Sequence, residues 1–138
     1  MKRKISIFIF LIISIMICSN YYVRHQNMEV ISTQNLTSQN SKILEVDIVL
    51  NTRIYPDCEK NAEEIIQHCI ENDFDGVMLS YDKEHPNELV GRVYLTKGNL
   101  KRGKYYYEFS YKPEESADKC TYNIVENREK YLLVIKKQ

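Results

Sequence analysis

The side chains able to do covalent or metal chemistry are few: four cysteines and three histidines in 138 residues. A nucleophilic thiol needs a base in hydrogen-bond reach, and His68 precedes Cys69 directly. Adjacent residues of a helix point about 100° apart and do not face each other, so this pair is not such a dyad. His85 stands in the Asp82 to Pro86 loop, and nothing in the sequence brings a cysteine to it. Asp82, Glu84 and His85 form a local carboxylate and imidazole group, but the paired Cys or His spacing of a structural zinc site is absent. A glycine-rich phosphate loop and a Gly-x-Ser-x-Gly elbow are absent too. No catalytic, cofactor-binding or metal-ligating residue is assigned, and a small enzyme or thiol protein using a cysteine or His85 is the second reading.

The cysteines also admit a structural use. Cys58 and Cys69 lie eleven residues apart; on one helix that is roughly 16 Å of axis, too far for a disulfide. Cys69 reads as a small buried hydrophobe. Cys58 and Cys120 both fall near element ends, which makes Cys58 to Cys120 the one intramolecular bridge to expect.

Charge offers a binding feature. Lys97, Lys101, Arg102 and Lys104 crowd one turn with no acid among them, while the helix described below exposes Glu59, Glu63, Glu64 and Glu71. Such polarity orients a domain toward anionic envelope polymer or lipid headgroups, although basic turns also serve solubility and edge protection. Nucleic acid is discounted. Taking Lys2, Arg3 and Lys4 from the 19 basic residues leaves 16 against 19 acidic ones, and phosphate neutralisation needs clustered excess cation.

The elements that position these residues follow from hydrophobic period. Lys2-Arg3-Lys4 and the uncharged run Ile5 to Cys18 have the shape of a secretory signal. Extended to Val23, the run is 19 residues long and nearly spans a hydrocarbon core of about 30 Å. Three readings fit: a retained anchor, a cleaved signal with Ser19 at a poor cleavage site, and lipidation at Cys18, where Ile17 replaces the small residue expected before the cysteine. The basic residues before the run place the N-terminus in the cytoplasm and the remainder outside, in a single-pass or secreted protein. Residues 1–23 are thus a signal or anchor, and 24–42 a polar linker rich in Ser, Thr, Asn and Gln. Asn35-Leu36-Thr37 is a formal glycosylation acceptor within it.

Residues 43–138 form the extracytoplasmic domain. Leu44, Val46, Ile48, Leu50 and Ile54 alternate with polar residues as a first strand with one buried face. Asp57 caps a helix running to Asp73, with Asn61 a second candidate cap. Cys58, Ala62, Ile65, Ile66, Cys69 and Ile70 line its apolar stripe. Strands are then expected over Val77 to Tyr81, through Leu89 and Val93 with an interruption at Gly91, over Lys104 to Lys112, over Tyr122 to Val125 and over Lys130 to Lys136. Lys97 to Gly103 closes a hairpin. Tyr105, Tyr107, Phe109 and Tyr111 make an aromatic ladder that belongs to the core.

This is an α+β chain, one helix on an antiparallel sheet of five or six strands. The order β-α-β-β-β-β resembles the arrangement of the cystatin and monellin fold. The Gln-x-Val-x-Gly hairpin by which cystatin inhibitors block cysteine proteases is absent. The expected role is binding or interaction at the cell envelope, with the membrane and an envelope protein or anionic envelope polymer as partners.

Overall fold

The computed structural model describes residues 9, 11–16, 28–38, 41–81, 85–114 and 121–138. Its elements are β1 (Glu29–Ser38), β2 (Ser41–Val49), α1 (Cys58–Glu71), β3 (Glu88–Tyr94), α2 (Lys97–Lys101), β4 (Tyr107–Pro113) and β5 (Tyr131–Lys137). A short 3-10 turn, Arg128–Lys130, precedes β5. The chain is α+β, with one five-stranded sheet in the order β1-β2-β3-β4-β5.

α1 begins where its cap residue dictates. Asp57 Oδ1 accepts from the Lys60 backbone N–H at 3.0 Å, satisfying one of the first-turn donors that the helix itself leaves open. Asn61, the other candidate cap, is instead buried inside the helix, where its Oδ1 accepts from the Tyr107 hydroxyl at 2.7 Å. The helix stops at Asn72, whose left-handed backbone (φ 54°) turns the chain away. Cys58, Ala62, Ile65, Ile66 and Cys69 are all buried, as the stripe requires.

Pairing fixes which sheet face receives that stripe. Val46 lies level with Gly91, Gly91 with Phe109, and Phe109 with Ile135; Ile48, Val93 and Tyr107 form the next row. These side chains join the α1 residues in one core. The other face includes a fork: Arg92 Nε and Nη2 donate to the two Asp47 oxygens at 2.8 and 3.1 Å, and Ser32 Oγ donates to Asp47 as well. Edge strand β5 exposes Leu132 and Val134 on that face.

Four expectations are corrected. The sheet is mixed, because β2 and β3 run parallel while the other three pairs are antiparallel. The cystatin-like alternation counted a strand at Val77 to Tyr81, and the chain forms none there. Asn72 takes both polar groups that a ladder would need: its Oδ1 accepts from Leu79 N at 2.7 Å and its Nδ2 donates to Leu79 O at 3.1 Å. With that strand gone, α1 returns the chain to its starting end, so the next strand must run parallel. Tyr122 to Val125 is a turn for a related reason, since Asn123 Oδ1 accepts from both Val125 N and Glu126 N.

The fourth correction lies in the polar stretch. Glu29–Ser38, read as linker from its composition, pairs with β2 over its whole length, with a bulge between Val30 and Ser32. Most of this strand is exposed, so its ladder bonds hold it without the apolar alternation that would have announced it. Asn35 of the glycosylation triplet donates from Nδ2 to Ser80 O at 3.1 Å.

Candidate interaction surface

One end of the sheet brings exposed Ile54 and Tyr55 near the basic turn that the sequence singles out. Beyond β2 and β3 the parallel pairing continues, with Leu50 N bonded to Tyr94 O and Thr52 N to Leu95 O, each at 2.9 Å. The chain then breaks away at Arg53-Ile54-Tyr55-Pro56, after the left-handed turn at Asn51 (φ 52°). Ile54 was expected on the buried face of the first strand. It is 57% exposed, and Tyr55 is 72% exposed, because the strand ends at Val49 and the segment that leads into α1 is irregular.

Across a shallow groove of about 450 Å³ stand Thr96, Lys97 and Gly98, so Arg53 and Ile54 line one wall and the start of α2 the other. The expected hairpin connection is present as this helical turn, capped by Thr96 Oγ1 accepting from Asn99 N at 3.2 Å. Lys97 Nζ lies 2.8 Å from Glu29 Oε2, and that bond holds the Glu29 carboxyl below its ordinary range. Arg102 folds back, donating from Nε to Gly98 O at 3.1 Å, while Lys101 and Lys104 are exposed. The four basic residues singled out in the sequence therefore share this end, with Lys97 tied to an acid from β1.

The loop that carries Ile54 and Tyr55 is braced from beneath. Tyr106 packs edge-on against Tyr55, ring centres 5.4 Å apart, and its hydroxyl donates to Pro56 O at 2.9 Å. The Cys58 side chain at that hydroxyl, together with burial, pushes Tyr106 up to about 12, so it keeps the proton it donates. Sequence reasoning missed this loop. The signal was Pro56-Asp57 directly after Tyr55, which ends the strand pattern and strands two large apolar residues outside either element.

The chemistry-bearing residues are spread apart. Cys69 is buried in the last turn of α1, and burial pushes its thiol up to about 12. Its carbonyl, not its sulfur, accepts from the Tyr81 hydroxyl. Cys58 is buried at the helix start; Cys18 and Cys120, and with Cys120 the Cys58 to Cys120 bridge, lie outside the described residues. His68 Nδ1 pairs with Asp73 Oδ1 at 2.6 Å at the end of α1, against the Phe74 ring. His85 packs edge-on against Tyr81 beside a smaller groove of about 190 Å³ lined by Leu36, Lys42 and Pro86. Its Nδ1 is buried and makes no hydrogen bond among the described residues. Asp82 and Glu84 lie outside them, and among the described residues no group of three His, Cys, Asp or Glu is placed to hold a metal ion.

The thiol geometry gives a direct expectation. Thiolate is the alkylating form, so iodoacetamide at neutral pH should leave Cys69 unmodified in the native chain and modify it fully after denaturation. Peptide mass spectrometry reads the difference. Rapid stoichiometric labelling of native Cys69 would show that α1 opens or that the thiol is activated.

Comparison with known proteins found no matching family model, no matching curated relative and no matching solved structure.

Proposed function

We propose that this chain is a membrane-held binding module of the cell envelope, its α+β domain outside the cytoplasm and its basic end turned to an anionic envelope component. The observation that carries the reading is the convergence of Arg53 and exposed Ile54 with Lys97 across one groove, beside the α2 turn and exposed Lys101 and Lys104. A surface with apolar and cationic groups side by side gains from both desolvation and charge, and clustered cations steer anionic partners to it. The apolar run Ile5 to Val23 supports the anchoring. Residues 9 and 11–16 are helical, and Ile9, Leu11, Ile15 and Met16 are exposed along them. Among the described residues no helix is long and apolar enough to cross a membrane.

Protease added to spheroplasts should remove the domain and leave an N-terminal peptide in the membrane. The detergent-solubilised full chain should be held on an immobilised polyanion, with retention falling several-fold in Lys101→Glu/Lys104→Glu and little in Lys60→Glu, a change on the exposed helix back. Protection from protease would overturn the location. Equal retention of all three chains would overturn the binding surface.

A further inference from the structure

We infer that the Arg53-Ile54-Tyr55 loop and the α2 turn together lie on the surface of an anionic lipid bilayer, with Ile54 and Tyr55 seated among the headgroups; this rests on the membrane-held reading above.

Three observations carry it. The first is composition at one end: Ile54 and Tyr55 are 57% and 72% exposed, Arg53 and Lys97 line the same groove as Ile54, and Lys101, Arg102 and Lys104 follow in the α2 turn. Tyrosine beside lysine and arginine is the pairing that sits well at a membrane interface, where the ring meets the acyl boundary and the cations meet phosphate. The second is preorganisation. Tyr106, bonded to Pro56 and packed on Tyr55, holds the loop outward, so seating it does not first require ordering it.

The third is where the chain enters. Glu29, the first residue of β1, is level with Val49 and paired with Lys97, so β1 starts at the same end as the basic turn. From Val23, the last residue of the apolar run, to Glu29 the chain can reach at most about 20 Å. The nine residues of β2 span roughly 30 Å, so the tether cannot bring the far end of the sheet to the bilayer in place of this one. Entry point, cations and exposed aromatic all fall at one end of the sheet. A soluble anionic polymer would use the cations but would have no use for Ile54 and Tyr55, which is why a bilayer is the occupant argued here.

The chain contains no Trp, so Tyr55→Trp makes a single fluorescent reporter at the site. Met78→Trp is the reference, because Met78 is 85% exposed and follows α1 at its C-terminal end, away from the loop that precedes the helix. Each full chain is reconstituted into phosphatidylcholine vesicles carrying brominated acyl chains, with and without phosphatidylglycerol. Bromine should quench Tyr55→Trp strongly and blue-shift its emission in the anionic vesicles, and should leave Met78→Trp near its aqueous value. Adding Lys101→Glu/Lys104→Glu to Tyr55→Trp should reduce the quenching several-fold, as should high salt. Circular dichroism of each variant establishes that it is folded. Quenching of Tyr55→Trp no greater than that of Met78→Trp, or unaffected by phosphatidylglycerol and by charge reversal, overturns the inference. A response to soluble polyphosphate with no bromine quenching overturns it too, in favour of a polymer partner. Resistance of the chain to alkaline extraction from the same vesicles reports the anchor separately, so loss of the anchor and loss of the surface contact give different results.

Discussion

An Ile65→Asp chain is expected to lose its cooperative thermal transition, whereas Glu63→Lys, two residues away on the exposed back of α1, is expected to melt within about 0.5 kcal/mol of the parent. Ile65 is fully buried in the cluster that joins the helix to β2, β3 and β4. Truncating such a side chain removes about 2–5 kcal/mol by lost transfer energy and cavity formation. The carboxylate adds several kcal/mol more, because that cluster contains no cation to pair with it. A domain of this size has about 5–15 kcal/mol in total, so the sum reaches the whole of its stability. Far-UV circular dichroism against temperature measures it. Equal melts for the two variants would show that α1 does not lie on the sheet through this stripe.

Gly91→Ala is expected to destabilise by about 1–3 kcal/mol or more, although it adds only one methyl group. The position is cross-strand from Phe109, and a Cβ built on Gly91 would sit 2.1 Å from Phe109 Cε1 and 2.4 Å from Cζ. The ring fills the space a side chain would take, a pairing that compensates for a strand glycine by covering it. Phe109 is itself buried beneath α1 and cannot swing aside without opening the core. Phe109→Leu should therefore rescue part of the loss. In a denaturant double-mutant cycle the combined change should fall short of the sum of the singles by about 1–2 kcal/mol. Strict additivity would mean that the ring and the glycine are not in contact.

Local rules were enough to read α1. Asp57 as cap and the spacing from Cys58 to Cys69 are both carried by residues a few positions apart, so the sequence contains the whole argument. The same holds for β3, β5 and β4 from Tyr107 onward, whose alternation survives because one face is buried, whereas Tyr105, expected in the aromatic ladder, precedes β4 and is outside the core. Gly91, read from the sequence as an interruption of the third strand, instead pairs regularly inside β3, and the side chain that occupies the space beside it, Phe109, did not follow from the strand pattern.

Other elements depend on partners remote in sequence. β1 is polar and largely exposed, and what holds it is its ladder with β2. Val77 to Tyr81 and Tyr122 to Val125 have strand-like residues, yet Asn72 and Asn123 satisfy their backbones first, and a side-chain amide in competition with a ladder leaves no mark in hydrophobic period. Strand direction across α1 followed from that loss, since the alternation of side chains is the same in parallel and antiparallel strands. The candidate surface divides in the same way. The sequence determined that Lys97, Lys101, Arg102 and Lys104 lie on one turn, because they are neighbours in the chain. Only the tertiary structure decided that Arg53 and Ile54 stand across a groove from that turn, because parallel pairing carries the ends of β2 and β3 to the same edge although more than forty residues separate them.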